Sequence, residues 1–164
     1  MENGNQQYAL AHFASVWERV GTTAEPSGLP GPSPTEPLTA LIAAEAESVA
    51  HCAALAGRIG GSMGQCLAWI AKEKREHLCR LELELFLCSG MFCRQKLPPC
   101  RKQGVLTALR DAYTAEQALL RQYQAAQSAA QEPTLRKLYA VRVKAQLRYL
   151  ETLRCLIRRM LGIL

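Results

Sequence analysis

The sequence has no run of about eighteen uncharged apolar residues, so no membrane-spanning helix is expected. Its opening residues, MENGNQQYALAHF, lack the basic start and apolar core of a secretory signal, and the expected location is the cytoplasm. The seven cysteines are Cys52, Cys66, Cys79, Cys88, Cys93, Cys100 and Cys155, and no two are spaced C-x-x-C. That spacing brings thiolates together in zinc-ribbon and rubredoxin sites, so its absence removes both. Free thiols are the plain expectation. Cys88, Cys93 and Cys100 form the one cluster placed to make a disulfide or hold a soft metal. No G-x-S-x-G occurs, and GRIGGSMG (57–64) has no P-loop lysine and follows no strand. Cys79 is two residues from His77, about 200° round a helix, so it has no readable base partner.

What is present suits one domain with a sizeable core: 164 residues, 49% apolar and 21% charged. The net charge is +6, and residues 131–164 carry eight Lys or Arg against two Glu. Arg136, Lys137, Lys144, Arg148 and Arg158 spread round the polar side of this last segment. A solvated helix face accounts for them. The alternative is a partner of opposite charge, either nucleic acid or an anionic surface.

Residues 6–20, QQYALAHFASVWERV, suit a short amphipathic helix with Leu10, Phe13, Trp17 and Val20 on one side. Residues 21–37 hold five of the eight prolines and three glycines, which is linker composition. Residues 1–37 are therefore read as an extension, and 38–164 as a helical domain. The spacing predicts helices over 38–59, 62–88, 104–131 and 133–161. Thr35 is a candidate cap, Gly60-Gly61 a stop, and Ser62 opens a capping box with Gln65. RLELELFLC (80–88) alternates like a strand, but its helix-forming surroundings favour helix.

Short links join the first two helices and the last two, so each pair is expected to be an antiparallel hairpin. The middle link, about fifteen residues, reaches roughly 50 Å, enough to cross a bundle about 39 Å long. The expected fold is thus all-α: a four-helix bundle of two antiparallel hairpins joined by a long crossover loop. In that frame one polar level recurs. Glu47 precedes His77 by thirty residues, and Glu116 precedes Gln146 by thirty. The stripes Ala40-Ala43-Glu47-Ala50-Ala54, Cys66-Ile70-Lys74-His77-Leu81-Cys88, Leu109-Glu116-Leu120-Tyr123 and Tyr139-Val143-Gln146-Leu150-Leu153-Ile157 are otherwise largely apolar.

The segments AESVAHCAALA, WIAKEKREHLCRL, DAYTAEQALLRQY and LYAVRVKAQLRYL resemble the ferritin-like superfamily, especially its small rubrerythrin-like bundles, across about residues 38–160. The resemblance implies a core centre of two iron or manganese ions and oxidase, peroxidase or storage chemistry. Glu47, His77 and Glu116 match its ligand positions. Lys74 and Val143 stand where the Glu of each Glu-x-x-His pair belongs, and Gln146 where the second His belongs. The expected function is therefore a ferritin-like protein with a degenerate metal centre: a non-catalytic binding or structural module without a cofactor. Its partner would be an unidentified protein or a second copy. Three arrangements are open. Lys74 can neutralise the carboxylates within a polar network that includes Gln146, with Arg142 helping from the edge. Alternatively one iron or manganese ion is kept at Glu47, His77 and Glu116, giving an oxidoreductase or metal-handling protein. Or the register differs, and Glu45 rather than Glu47 faces inward.

Overall fold

A computed structural model describes residues 35–99 and 103–163, and they fold into α1 (Thr35–Ile59), α2 (Gly61–Ser89), α3 (Val105–Ala129) and α4 (Pro133–Met160). No strand occurs among the described residues, and the alternating 80–88 segment is helical within α2. The expected helix over 6–20 and the linker up to residue 34 lie outside the described residues. Thr35, Glu36 and Pro37, read as linker, instead form the first turn of α1. Proline is tolerated there because a first-turn N–H has no partner within the helix.

Local chemistry sets the ends. Gly60 and Gly61 both take positive φ, +66° and +55°, so two left-handed residues turn the chain between α1 and α2. No side chain caps α2, and the capping box expected at Ser62 does not form because the helix already begins at Gly61. At its far end Gly90, φ +69°, donates its N–H to the Phe86 carbonyl at 2.7 Å and stops the helix. Pro133 opens α4 behind Glu132, whose carboxylate accepts from the Thr134 N–H at 3.3 Å.

Two apolar layers close the ends of the bundle. One joins Leu38, Leu41 and Ile42 to Leu78, Leu81, Leu85, Leu119, Tyr123, Leu135 and Tyr139. The other joins Leu55 to Leu67, Ala108, Leu109, Leu153 and Leu156. The start of α1 thus shares a layer with the ends of α2 and α3 and the start of α4. Each hairpin therefore reverses direction, and the link from α2 to α3 has to return from one layer to the other. Its path is pinned on the way. Cys93 packs on the first layer, the Gln95 N–H donates to Glu82 at 2.9 Å, and the Gln103 carbonyl accepts from Arg58 near the second layer. Between these anchors Pro98 and Pro99 face Glu47, Ala50 and His51 across a cavity of about 360 Å³. α1 packs on α2, α3 on α4 and α1 on α3, while α2 and α4 approach one another least closely.

The inner side of α1 differs from the expected one. Leu38, Leu41, Ile42, Glu45, Val49, Cys52 and Leu55 are buried, whereas Ala40, Ala43 and Glu47 are exposed. Burying a leucine or isoleucine gains far more than burying an alanine, so the large aliphatic residues take the core and Ala40 and Ala43 face out. By length and composition alone α1 could also cross a membrane, but its large apolar residues form the bundle core. On α2, Cys66 and Cys88 are exposed, while Ile70, Lys74, His77 and Leu81 stay inside. On α3, Leu109, Glu116 and Tyr123 are inside as expected, with Leu119 ahead of the half-buried Leu120. On α4, Tyr139, Gln146 and Leu153 are buried and Val143, Leu150 and Ile157 half-buried.

Two glycines separate backbone propensity from packing. A Cβ on Gly64 would lie 2.7 Å from the Ala56 carbonyl oxygen of α1, whereas one on Gly57 would meet nothing within 4 Å. Gly64→Ala is expected to lower stability by about 1–3 kcal/mol through overpacking. Gly57→Ala is expected to raise it by roughly 0.5–1 kcal/mol. Urea unfolding of the two variants checks both signs, and a neutral Gly64→Ala would refute the close approach of α1 and α2.

Candidate functional site

Each helix sends one polar side chain to the level between the two apolar layers. They are Glu45 from α1, Lys74 from α2, Glu116 from α3 and Gln146 from α4, with exposures of 1%, 0%, 2% and 1%. The Lys74 ammonium is the centre. Its Nζ lies 2.9 Å from Glu116 Oε2, 3.2 Å from Glu45 Oε2 and 3.3 Å from Gln146 Oε1. Three acceptors match the three donors of an ammonium, so none of its hydrogens lacks a partner. The Tyr149 ring lies below, its centroid 4.9 Å from Nζ, and adds a cation–π contact.

The remaining acceptor sites of the carboxylates are also used. Tyr123 donates its hydroxyl to Glu45 Oε1 at 2.6 Å. Ser48 donates to Glu116 Oε1, and the Gln146 amide donates to Glu116 Oε2 and, at 3.2 Å, to the Glu116 carbonyl. Buried polar groups are costly unless paired, and this set pairs nearly all of its own. Burial alone would pull the Lys74 pKa down. The charges of Glu45 and Glu116 outweigh burial and hold it above the usual lysine value, so Lys74 is a fixed cation. Burial and Glu45 likewise raise the Tyr123 phenol, which therefore remains a donor. Burial first, then Glu116, push the neighbouring Cys52 thiol up to about 12, which leaves it inert.

Of the residues singled out from sequence, Lys74, Glu116 and Gln146 meet directly and Glu47 does not join them. Glu47 is exposed on the outer side of α1, in a groove with His51. Two positions correspond to about 200° on a helix, so Glu45 and Glu47 cannot share a face, and Glu45 is the inner one. His77 is buried but sits towards α4, its ring 6.2 Å from that of Tyr149, and makes no hydrogen bond to the carboxylates. Glu47, His77 and Glu116 therefore do not converge on one ion. Among the described residues no group of three or more His, Cys, Asp or Glu is placed to hold a metal. The central donor set does not suit a dimetal centre either, because an ammonium stands between its only two carboxylates.

Ser48, Tyr123 and Tyr149 complete the network although their residue types carried no chemical signal in the sequence. Arg142, read as an edge residue, is 2% exposed. Cys52, Cys66, Cys79, Cys88, Cys93 and Cys155 are all free thiols, and Cys100 lies outside the described residues. The basic residues Arg136, Lys137, Lys144, Arg148 and Arg158 are exposed along α4. No family model matches the sequence, and no match to it is found among curated proteins or solved structures.

Removing one member of a buried ion pair strands the others. Lys74→Met is expected to cost about 3–5 kcal/mol, and adding Glu45→Gln and Glu116→Gln to it should recover most of that loss. Urea unfolding of the single and triple variants tests this, and a single variant as stable as the triple would contradict the pairing.

His77 gives a second test. Burial first, then the charges of Arg142 and Lys74, depress it from 6.5 to about 3. The unfolded chain therefore takes up a proton that the folded chain refuses. The associated stability is fully present above about pH 6.5 and is lost progressively as pH falls towards 3. The denaturant midpoint should drop across this window, and His77→Gln should flatten the drop. Parallel pH profiles in wild type and variant would disprove a buried neutral imidazole.

Proposed function

We propose that this chain is a ferritin-like bundle whose dimetal centre has been replaced by a charge network, acting as a non-catalytic structural or binding module. The observation that carries this reading is the Lys74 ammonium, within 3.3 Å of Glu45, Glu116 and Gln146 at the level where all four helices converge. A pair of divalent ions in such a bundle supplies positive charge to an excess of core carboxylates. Here one lysine supplies it to two carboxylates, and a glutamine fills the fourth helix without charge. The function then rests on the surface of the bundle, where a protein partner or a second copy would bind.

Elemental analysis of protein purified without added metal or chelator tests the reading, run beside Lys74→Glu and a ferrous oxidation assay. Wild type should hold below about a tenth of an equivalent of iron or manganese and show no oxidase activity. Lys74→Glu replaces the cation with a third inner carboxylate and should gain affinity for a divalent ion. About one equivalent of tightly held metal in wild type would overturn the proposal.

A further inference from the structure

Outside the central network, the described residues bury one cation that no carboxylate among them pairs with. The Arg142 side chain is 2% exposed, and its Nε, Nη1 and Nη2 are all buried without a hydrogen-bond partner. No carboxylate among the described residues lies within ion-pair distance of it. Glu45, the carboxylate whose charge acts on it most, has already given one oxygen to Tyr123 and the other to Lys74. A buried guanidinium with five unused N–H donors is among the most costly arrangements a core can hold.

A second unpartnered group is close by. His77 is 8% exposed, and its Nδ1 is buried without a partner. Arg142 precedes Ala145 and Tyr149 by three and seven positions, so all three lie on one side of α4. Ala145 and Tyr149 pack against Ile70 and Ala71 of α2, which places that side in the seam between α2 and α4. These two helices approach least closely of the neighbouring pairs, and Ala145 adds little bulk between them. The strongest charges acting on His77 are positive: Arg142, Lys74, Arg80 and Arg148. The seam thus combines unused donors and positive potential between the two neighbouring helices that approach least closely.

We propose that the α2–α4 seam is a binding site for a small monocarboxylate, held by the Arg142 guanidinium with His77 as its second polar contact. The fork of a guanidinium matches the two oxygens of a carboxylate and makes two parallel charge-assisted hydrogen bonds. A neutral imidazole supplies a further hydrogen bond through Nδ1. A single negative charge suits the site because Lys74 is already shared by Glu45 and Glu116, leaving Arg142 as the one uncompensated buried cation among the described residues. The depth of Arg142 limits the ligand to one or two carbons, of the size of formate or acetate.

The test is a titration of the full chain with sodium formate and sodium acetate at ionic strength held constant with sodium chloride. Two readouts are followed: the Arg142 Nε–H resonance in a nitrogen-15 spectrum and the melting temperature. The expected result is a saturable shift of that resonance. At ~100 mM ligand, a hundredfold excess over a site of roughly 1 mM, the melting temperature should rise by on the order of 10 °C. Arg142→Lys keeps the charge but not the fork and should lose both responses. Arg142→Leu should lose them too, while in carboxylate-free buffer it should melt no lower than wild type, since it removes a stranded charge. The absence of a saturable shift, a rise that persists in Arg142→Lys, or a marked fall in the melting temperature of Arg142→Leu without ligand would overturn the proposal.

Discussion

The bundle is organised around one ammonium group that must be held by three helices other than its own. An uncompensated charge in an apolar core costs several kcal/mol, so Lys74 is tolerable only when Glu45, Glu116 and Gln146 arrive together. That condition fixes the rotation of all four helices. Turning α1 by one position would put Ala44 or Ala46 in the place of Glu45 and withdraw a carboxylate. The apolar layers at either end supply the bulk of the burial, but leucines on a helix face tolerate several registers. The polar level discriminates between registers more sharply, because its hydrogen bonds are directional and its charges must balance.

Much of this architecture is legible in the sequence. Helix content, the Gly60-Gly61 corner, Gly90 and Pro133 as boundaries, and the long middle link all follow from local chemistry. Lys74, Glu116 and Gln146 stand out because each interrupts an otherwise apolar stripe. Glu45 is harder to read. α1 is rich in alanine, and alanine fits inside or outside equally well, so the alanine stripe through Glu47 looks as regular as the true one. The deciding signal is size: Leu38, Leu41, Ile42, Val49, Cys52 and Leu55 recur at helical spacing through Glu45 and have more to gain from burial. Ser48 and the two tyrosines are not legible as site residues. Their roles depend on distances across the bundle that no one-dimensional pattern encodes. Arg142 is obscured for a different reason, since it lies among the other basic residues of the last helix, which face solvent.

A lysine-centred network and a divalent-metal centre are two ways to neutralise carboxylates buried in a helical bundle. Both place acidic side chains at the same level and satisfy them with positive charge from within. They differ in how adaptable that charge is. A divalent ion can be exchanged, can change coordination and can take up solvent ligands. A lysine is covalently fixed to one helix and directs three hydrogens at three defined acceptors. The carboxylates here are consequently locked by Tyr123, Ser48 and Gln146 in a way that would leave little freedom to coordinate anything else.

The distribution of these charges between the hairpins has a consequence for assembly. The α1–α2 hairpin contributes Glu45 and Lys74 to the middle of the core, and the α3–α4 hairpin contributes Glu116 and Arg142. With His77 neutral, each hairpin brings one positive and one negative group, so each is electroneutral at this level before they meet. Joining them exchanges partners, with Lys74 gaining Glu116 across the divide, but moves no net charge out of water. Bringing the two halves together therefore resembles mating two dipolar surfaces, in which Lys74 exchanges water for a second carboxylate while Arg142 gives up water without gaining one.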